Sequence, residues 1–403
     1  MRRLSFSGLL LVTAVIILAP LPAAGFNIAM DYWLGSSAAV GNDDTVLAVS
    51  TDGKIKAFDS QGNKKGEYDT GSEITTSAAV GDDGSVCFGT GNGNFYALNA
   101  LFNQIVYKYE AGSKIVTDPV SDRDGNCYFA TDDNKVHCVD SQGNQKWVSN
   151  GIHATSNPVV GADGKVYIYG STSPISAGVY VINPDGSREP FGPASLSASA
   201  SLSINFAGNL IVKTDGGYVT CIGPDGNVRW SYQAPAGSSS RASKPEVSPR
   251  AAEQAGSAVS SGPVIDVDGT IYFGNGNKFY ALTPAGAKKW DYTAGGDIKS
   301  TAAIGADGTI YFGSDDGVLN MLDRNGAPVG LFFAGGAIQA SPTLTPDGKL
   351  YFGAADGKLY GLETSSPGLA KSAWPMYMHD PRHTGRADRK VALPFLNLLL
   401  LGN

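Results

Sequence analysis

His379 and His383 stand four residues apart with Asp380 between them. On a helix that spacing would put both imidazoles on one face, where they could share a divalent cation. Pro381 lies inside the span and disfavours that helix. The segment Trp374–Arg386 is therefore expected to act as a structural clasp under the fold, not as a metal centre. Asp122-x-Asp124-Gly125 and Asp266-x-Asp268-Gly269 carry the first positions of a calcium loop. They lack its third acidic position and its distal Glu, and turn chemistry accounts for them better. No hydrolase, metalloprotease, phosphate-loop or dinucleotide fingerprint occurs. The glycines of Gly89–Gly93 fall in phase with a hairpin turn. No residue is assigned a catalytic, cofactor-binding or metal-binding role.

The cysteines, Cys87, Cys127, Cys138 and Cys221, are too few for a disulfide scaffold. Cys138 and Cys221 share a repeat column with Ala57, Ala97, Ala281 and Gly361, so the site asks for a small buried side chain. Cys127 and Cys138 become cross-strand neighbours if the Asp132-Asp133 turn has two residues; a one-residue change puts them on opposite faces. Formal charge is −7, with no basic stripe, which argues against nucleic acid as a partner. Residues 1–24 read as a signal peptide: Arg2 and Arg3, an apolar run over Leu9–Leu18, then small residues at Pro22–Gly25. Its removal takes the charge to −9 and leaves an exported chain, periplasmic or extracellular, with no transmembrane span.

What must position all of these is a repeat. The turns Asp43-Asp44, Asp83-Gly84, Asp124-Gly125, Asp163-Gly164, Ala207-Gly208, Asp268-Gly269, Asp307-Gly308 and Asp347-Gly348 form one column. Successive spacings are 40, 41, 39, 44, 61, 39 and 40, and a short strand follows each turn. The unit at Ser257–Asp297 shows the pattern whole: four short strands joined by turn-formers. One such sheet cannot bury its own faces, so it needs copies of itself.

Two columns set the architecture. Ala38, Ala78, Pro119, Pro158, Leu202, Pro263, Ala302 and Pro342 occupy the first strand of each unit. Proline cannot donate to a ladder, so Pro119, Pro158, Pro263 and Pro342 mark a strand with a free, crowded edge around an axis. Tyr107, Trp147, Trp230 and Trp290 recur in the last strand, where bulk fills the broad outer wedge; Gly66, Pro190 and Gly330 are exceptions. Together these predict an all-β, eight-bladed β-propeller of four-stranded antiparallel blades over 25–370, with seven blades as the alternative. The last unit lacks a fourth strand. Residues 27–34 are expected to supply it, with Ala29-Met30-Asp31-Tyr32 in the register of Lys289-Trp290-Asp291-Tyr292. Gln233–Ser257, rich in Gly, Ser and Pro, reads as a loop between the fifth and sixth blades. A clasp over 371–388 and an apolar tail over 389–403, too short to span a bilayer, complete the chain; the tail packs on the propeller, binds a partner or touches a membrane.

The pattern Ala281-Leu282-x3-Gly286-x3-Trp290, its partial copies Gly143-x3-Trp147 and Gly226-x3-Trp230, and the Ile-Tyr-Phe-Gly strands followed by Asp-Gly turns resemble the quinoprotein-like (PQQ-type) repeat family. The segment Trp374–Arg386 is similar to one that accompanies such propellers. The resemblance implies a fold, not an activity, because the family holds quinone-dependent dehydrogenases as well as non-catalytic scaffolds such as the BamB outer-membrane assembly factor. Its enzymes carry calcium, a catalytic carboxylate and often adjacent cysteines. No two cysteines are adjacent here, so no site residue is carried over. The expected function is a monomeric, non-catalytic scaffold without cofactor that binds envelope or extracellular proteins. The alternatives are a dehydrogenase of alcohols or sugars using PQQ with calcium, and a carbohydrate-binding surface protein.

Overall fold

The structure is a computed structural model and describes residues 26–29, 36–50, 52–100, 104–173, 176–195, 197–235 and 261–387. Residues 1–24, read above as a signal peptide, most of the Gln233–Ser257 insertion and the apolar tail lie outside these residues. Eight antiparallel sheets form a ring of blades, each with four strands ordered from the axis outward; one blade has an added short strand. Blade 2 is typical: Ala79–Val80 innermost, then Val86–Gly89, Asn94–Leu98 and Ile105–Glu110. Blade 4 carries the addition, with His153–Ala154 pairing beyond Val159–Val160 on the strand Val166–Ser173. All eight blades are complete, so the seven-bladed alternative is excluded.

The turn column has a backbone cause. Gly84, Gly125, Gly164, Gly208, Gly269, Gly308 and Gly348 have φ between +79° and +87°, and Asp44 has φ 60°. The preceding Asp accepts the N–H two residues on, as Asp268 does from Thr270 at 2.9 Å and Asp307 from Thr309 at 2.9 Å. Every second strand is almost wholly buried, as in Ile310–Gly313. Neighbouring blades interdigitate where the third strand of one meets the second strand of the next. Phe95 stacks on Phe129 at 4.4 Å between blades 2 and 3, and Phe279 on Phe312 at 4.1 Å between blades 6 and 7. Each such ring contributes about 1.5–3 kcal/mol by leaving water.

The ring closes as expected in partner but not in register. Phe26–Ala29 is the outermost strand of blade 8, against Lys358–Glu363. Phe26 opposes Gly361, the place Trp290 holds opposite Ala281 in blade 6, so the pairing lies four residues earlier than the match through Met30 predicted. Phe26 thus takes the place in the aromatic column that the match had given to Met30, and a four-residue slip keeps the same face inward. Ser341 N–H to Ser37 Oγ at 3.0 Å and Thr343 Oγ1 to the Ala38 carbonyl at 2.6 Å join blade 8 to blade 1.

Cys127 and Cys138 are not cross-strand partners. Cys127 opposes Val139 and Cys138 opposes Tyr128, so the two thiols point to opposite faces of blade 3. The loop between Thr131 and Lys135 has three residues rather than two, with Asn134 left-handed at φ 66°.

Candidate functional site

The axis and the rim are the two places where this fold exposes differences between blades. At the axis, Pro119, Pro158, Pro263 and Pro342 are buried one residue before their innermost strands. The residue just before this column forms a ring of inter-blade hydrogen bonds. Gly262 N–H donates to Thr301 Oγ1 at 2.8 Å, Thr301 N–H to Ser341 Oγ at 2.9 Å, and Ser341 in turn to Ser37. On the far side Ser77 N–H donates to Asp118 Oδ1 at 2.6 Å and Asp118 N–H to Asn157 Oδ1 at 2.9 Å. Sequence reasoning missed this ring. The signal was present as a column of side-chain acceptors, Ser37, Ser77, Asp118, Asn157, Thr301 and Ser341, directly before the Ala/Pro column.

The inner edges are not left free. Residues 374–387 run round the axis in blade order. Carbonyls of Trp374, Pro375, Pro381, Arg382, Thr384 and Gly385 accept the N–H groups of Ile265, Ile304, Val40, Val80, Ser121 and Val160, at 2.7–3.0 Å. Ala387 N–H donates back to Val160 at 2.8 Å. Arg386 bonds Asp82 at 2.7 and 2.9 Å, and Arg382 bonds it at 2.6 Å. Tyr377, half-buried, donates its hydroxyl to Asp118 and accepts from Asn157 Nδ2 at 2.8 Å; burial first, then the Asp118 charge, raises its pKa well above the usual phenol value.

The two histidines of this strap do not converge. His383 places Nδ1 3.1 Å from the Ala78 carbonyl oxygen, while His379 packs edge-on against Trp374 with ring centroids 5.2 Å apart. Met378, His379 and His383 take left-handed φ of 53°, 75° and 58°, which a helix would not allow. Burial works against ionising Asp380, but bonding and charge from His379, with Arg382 and Thr384, hold its carboxyl below the usual range. Burial pushes the His383 imidazole down. In the calcium-like turns, Asp122 Oδ1 accepts from the N–H groups of Asp124 and Asn126 at 3.0 and 2.9 Å, and Asp266 pairs with Arg324 at 2.9 Å. Among the described residues no three His, Cys, Asp or Glu side chains are placed to hold a metal.

A small cleft of about 40 Å³ opens between the strap and blades 4 to 7, lined by Asn157, Ser201, Leu202, Thr301, Trp374 and Tyr377 among others. Pyrroloquinoline quinone is a planar polycarboxylate, and binding it calls for cations and a hard metal beside it. No Lys or Arg lines this cleft, and Asp118 is already engaged by Tyr377. The lining of this cleft does not fit that cofactor.

At the rim, Trp147, Trp230 and Trp290 each lie half-buried and reach into the next blade's outer turn. Their Nε1–H groups donate to the carbonyls of Pro184, Pro284 and Arg324 at 3.1, 2.9 and 2.9 Å. Gly186, Gly286 and Gly326 lie under the indoles. Blade 7 breaks this pattern: Gly330 replaces the indole, and Met321 opposite it fills the space. Its outermost strand, Pro328–Phe333, also carries no charge. Val329, Leu331 and Phe333 are 39%, 39% and 71% exposed, where blade 6 has Lys289, Asp291 and Thr293. Its other face is anchored, Phe332 packing edge-on against Phe352 and Tyr360 at 6.0 and 5.5 Å. The uncharged run was visible in the sequence but carried no meaning until the strand was known to be an edge.

No helix among the described residues is long and apolar enough to cross a membrane. The family model described as outer membrane protein assembly factor BamB matches residues 51–190 and 185–329, together two thirds of the chain. No curated protein matches. Among solved structures, BamB from Moraxella catarrhalis is similar with TM-score 0.65 and 14% identity, covering 85% of this chain and 100% of that one. The computationally designed Ika8 protein gives 0.64 and 14%, covering 86% and 100%. A europium-containing methanol dehydrogenase gives 0.63 and 12%, covering 85% and 93%. At such identities these likenesses concern the fold alone.

Proposed function

The chain belongs to the PQQ-like repeat family described as outer membrane protein assembly factor BamB, and we propose that it is a non-catalytic scaffold that binds other proteins of the cell envelope. The observation that carries this reading is the outermost strand of blade 7. Sheet edges are normally guarded by charge, as blade 6 is by the Lys278–Asp291–Lys288 cluster. Pro328–Phe333 instead offers an apolar row beside unpaired backbone groups. Such an edge suits an extended apolar segment of a partner, which adds as a further strand. Export follows from reading residues 1–24 as a signal peptide.

The test is site-specific photocrosslinking from position 333 in the native envelope, with wild type and the Leu331→Lys, Phe333→Asp double variant compared by pull-down. The reading expects one crosslinked envelope protein, and at least tenfold weaker recovery by the double variant. Equal recovery, or crosslinks only to a second copy of the chain, would remove the rim from this role. Dye reduction with alcohols or sugars after adding PQQ and calcium would overturn the non-catalytic reading, and N-terminal sequencing of the mature chain checks export.

A further inference from the structure

All four cysteines are buried with free thiols. Cys138 and Cys221 sit opposite Trp147 and Trp230 within their own blades. Cys87 and Cys127 differ. They lie on the second strands of blades 2 and 3, Val86–Gly89 and Cys127–Thr131. Cys87 stands three residues after its turn glycine Gly84, and Cys127 two after Gly125. Strand alternation therefore turns them to opposite faces of their sheets, and those two faces pack on each other. Their sulfurs are 3.6 Å apart. The surroundings are apolar, with Phe95, Phe129 and Ile115 in the same cluster. Tyr107 brings its hydroxyl to 3.8 Å from Cys127 Sγ and 4.0 Å from Cys87 Sγ.

We propose that Cys87 and Cys127 are a covalent modification site: they form an inter-blade disulfide when the chain folds in an oxidising compartment, stapling blade 2 to blade 3. A disulfide bond is about 2.05 Å long, so the sulfurs must approach by about 1.5 Å on oxidation. The oxidant is a low-molecular-weight disulfide such as oxidised glutathione. One cysteine thiolate attacks it, giving a mixed disulfide and one donor thiol. The second cysteine attacks the protein-side sulfur and expels the other donor thiol. Two electrons pass from the cysteine pair to the donor, and the two cysteine protons end on its thiols. The bonding to Cys87 and burial raise the Cys127 thiol pKa well above its usual value. The folded, reduced protein is therefore slow to react, and the bond forms as blades 2 and 3 close.

The experiment is refolding of the whole chain in a glutathione redox buffer, alkylation in denaturant, and peptide mapping without reductant. The expected result is two alkylated and two protected cysteines, with one crosslinked peptide joining Cys87 to Cys127. Reduction should lower the thermal midpoint by roughly 5 °C in wild type and in Cys138→Ser. It should leave Cys87→Ser and Cys127→Ser unchanged. Four alkylated cysteines, or a link through Cys138 or Cys221, would overturn the proposal. Should the serine variants fail to fold, the wild-type peptide map decides alone.

Discussion

Gly286 shows how a single residue holds two blades in contact. Its φ is +83°, and a Cβ there would lie 2.5 Å from the Trp230 indole. Gly286→Ala is expected to cost about 1–3 kcal/mol, from overpacking added to a strained backbone, read as a shift in urea midpoint without a change in slope. Met321 and Gly330 make the reciprocal case in blade 7: the aromatic is lost and a larger residue opposite fills the space, whereas in blade 1 Gly66 faces a small Ala57. His137 is a residue-scale source of acid sensitivity. It stacks on Phe129 at 5.2 Å, lies against Tyr109 and Thr131, and burial pushes its pKa down to about 4. The unfolded imidazole titrates near 6.5, so the unfolded chain binds the proton first as pH falls. Stability from this group is full above about pH 6.5 and is lost down to about pH 4, by up to about 3 kcal/mol. His137→Gln should flatten that part of the stability–pH curve measured by urea unfolding; an unchanged slope would assign the effect elsewhere.

Among the elements, the strap 374–387 has the widest reach, since it satisfies the inner edges of blades 6, 7, 1, 2, 3 and 4 in turn. It also buries Trp374, Met376 and Met378. A chain ending at Ala373 is expected to lose on the order of 10 kcal/mol in hydrogen bonds and apolar burial. Limited proteolysis should then cut between blades, where the intact chain resists. A milder probe is Asp82→Ala, which frees Arg382 and Arg386 together. Asp82 is partly exposed, so about 1 kcal/mol is expected. A loss of the size expected for the truncation would mean that the arginines, not the backbone, fasten the strap.

For the whole molecule, closure is the controlling event. Blades 1 to 7 each draw four strands from one stretch of chain, but blade 8 borrows Phe26–Ala29 from the other end. Deleting residues 26–29 is expected to leave Lys358–Glu363 as an open edge and to promote concentration-dependent oligomers on size exclusion, compared with the intact chain. A strictly monomeric product of unchanged thermal midpoint would show that the strap alone closes the ring. The rim has the opposite character: the blade 7 edge Pro328–Phe333 presents an exposed, uncharged row, which makes it the place to look for a partner.

Period, turn column and the Ala/Pro column were local properties, so the sequence alone determined a ring of small antiparallel sheets and which edges face its axis. A φ near +80° or a missing N–H is felt within a few residues, and such constraints can be read without knowing the neighbours. Contacts between units cannot. Cys87 meets Cys127 only because adjacent blades present opposite faces to each other, and Cys127 faces away from Cys138 because one loop has three residues. His379 and His383 look like a ligand pair in one dimension and are separated by left-handed backbone in three. The register of Phe26–Ala29 was likewise beyond reach, because Phe26 and Met30 both suit the aromatic column and a four-residue slip between them keeps the same face inward. The axial ring, the course of the strap and the exposed row on blade 7 were decided by tertiary packing, since each depends on which residues of distant units share a boundary.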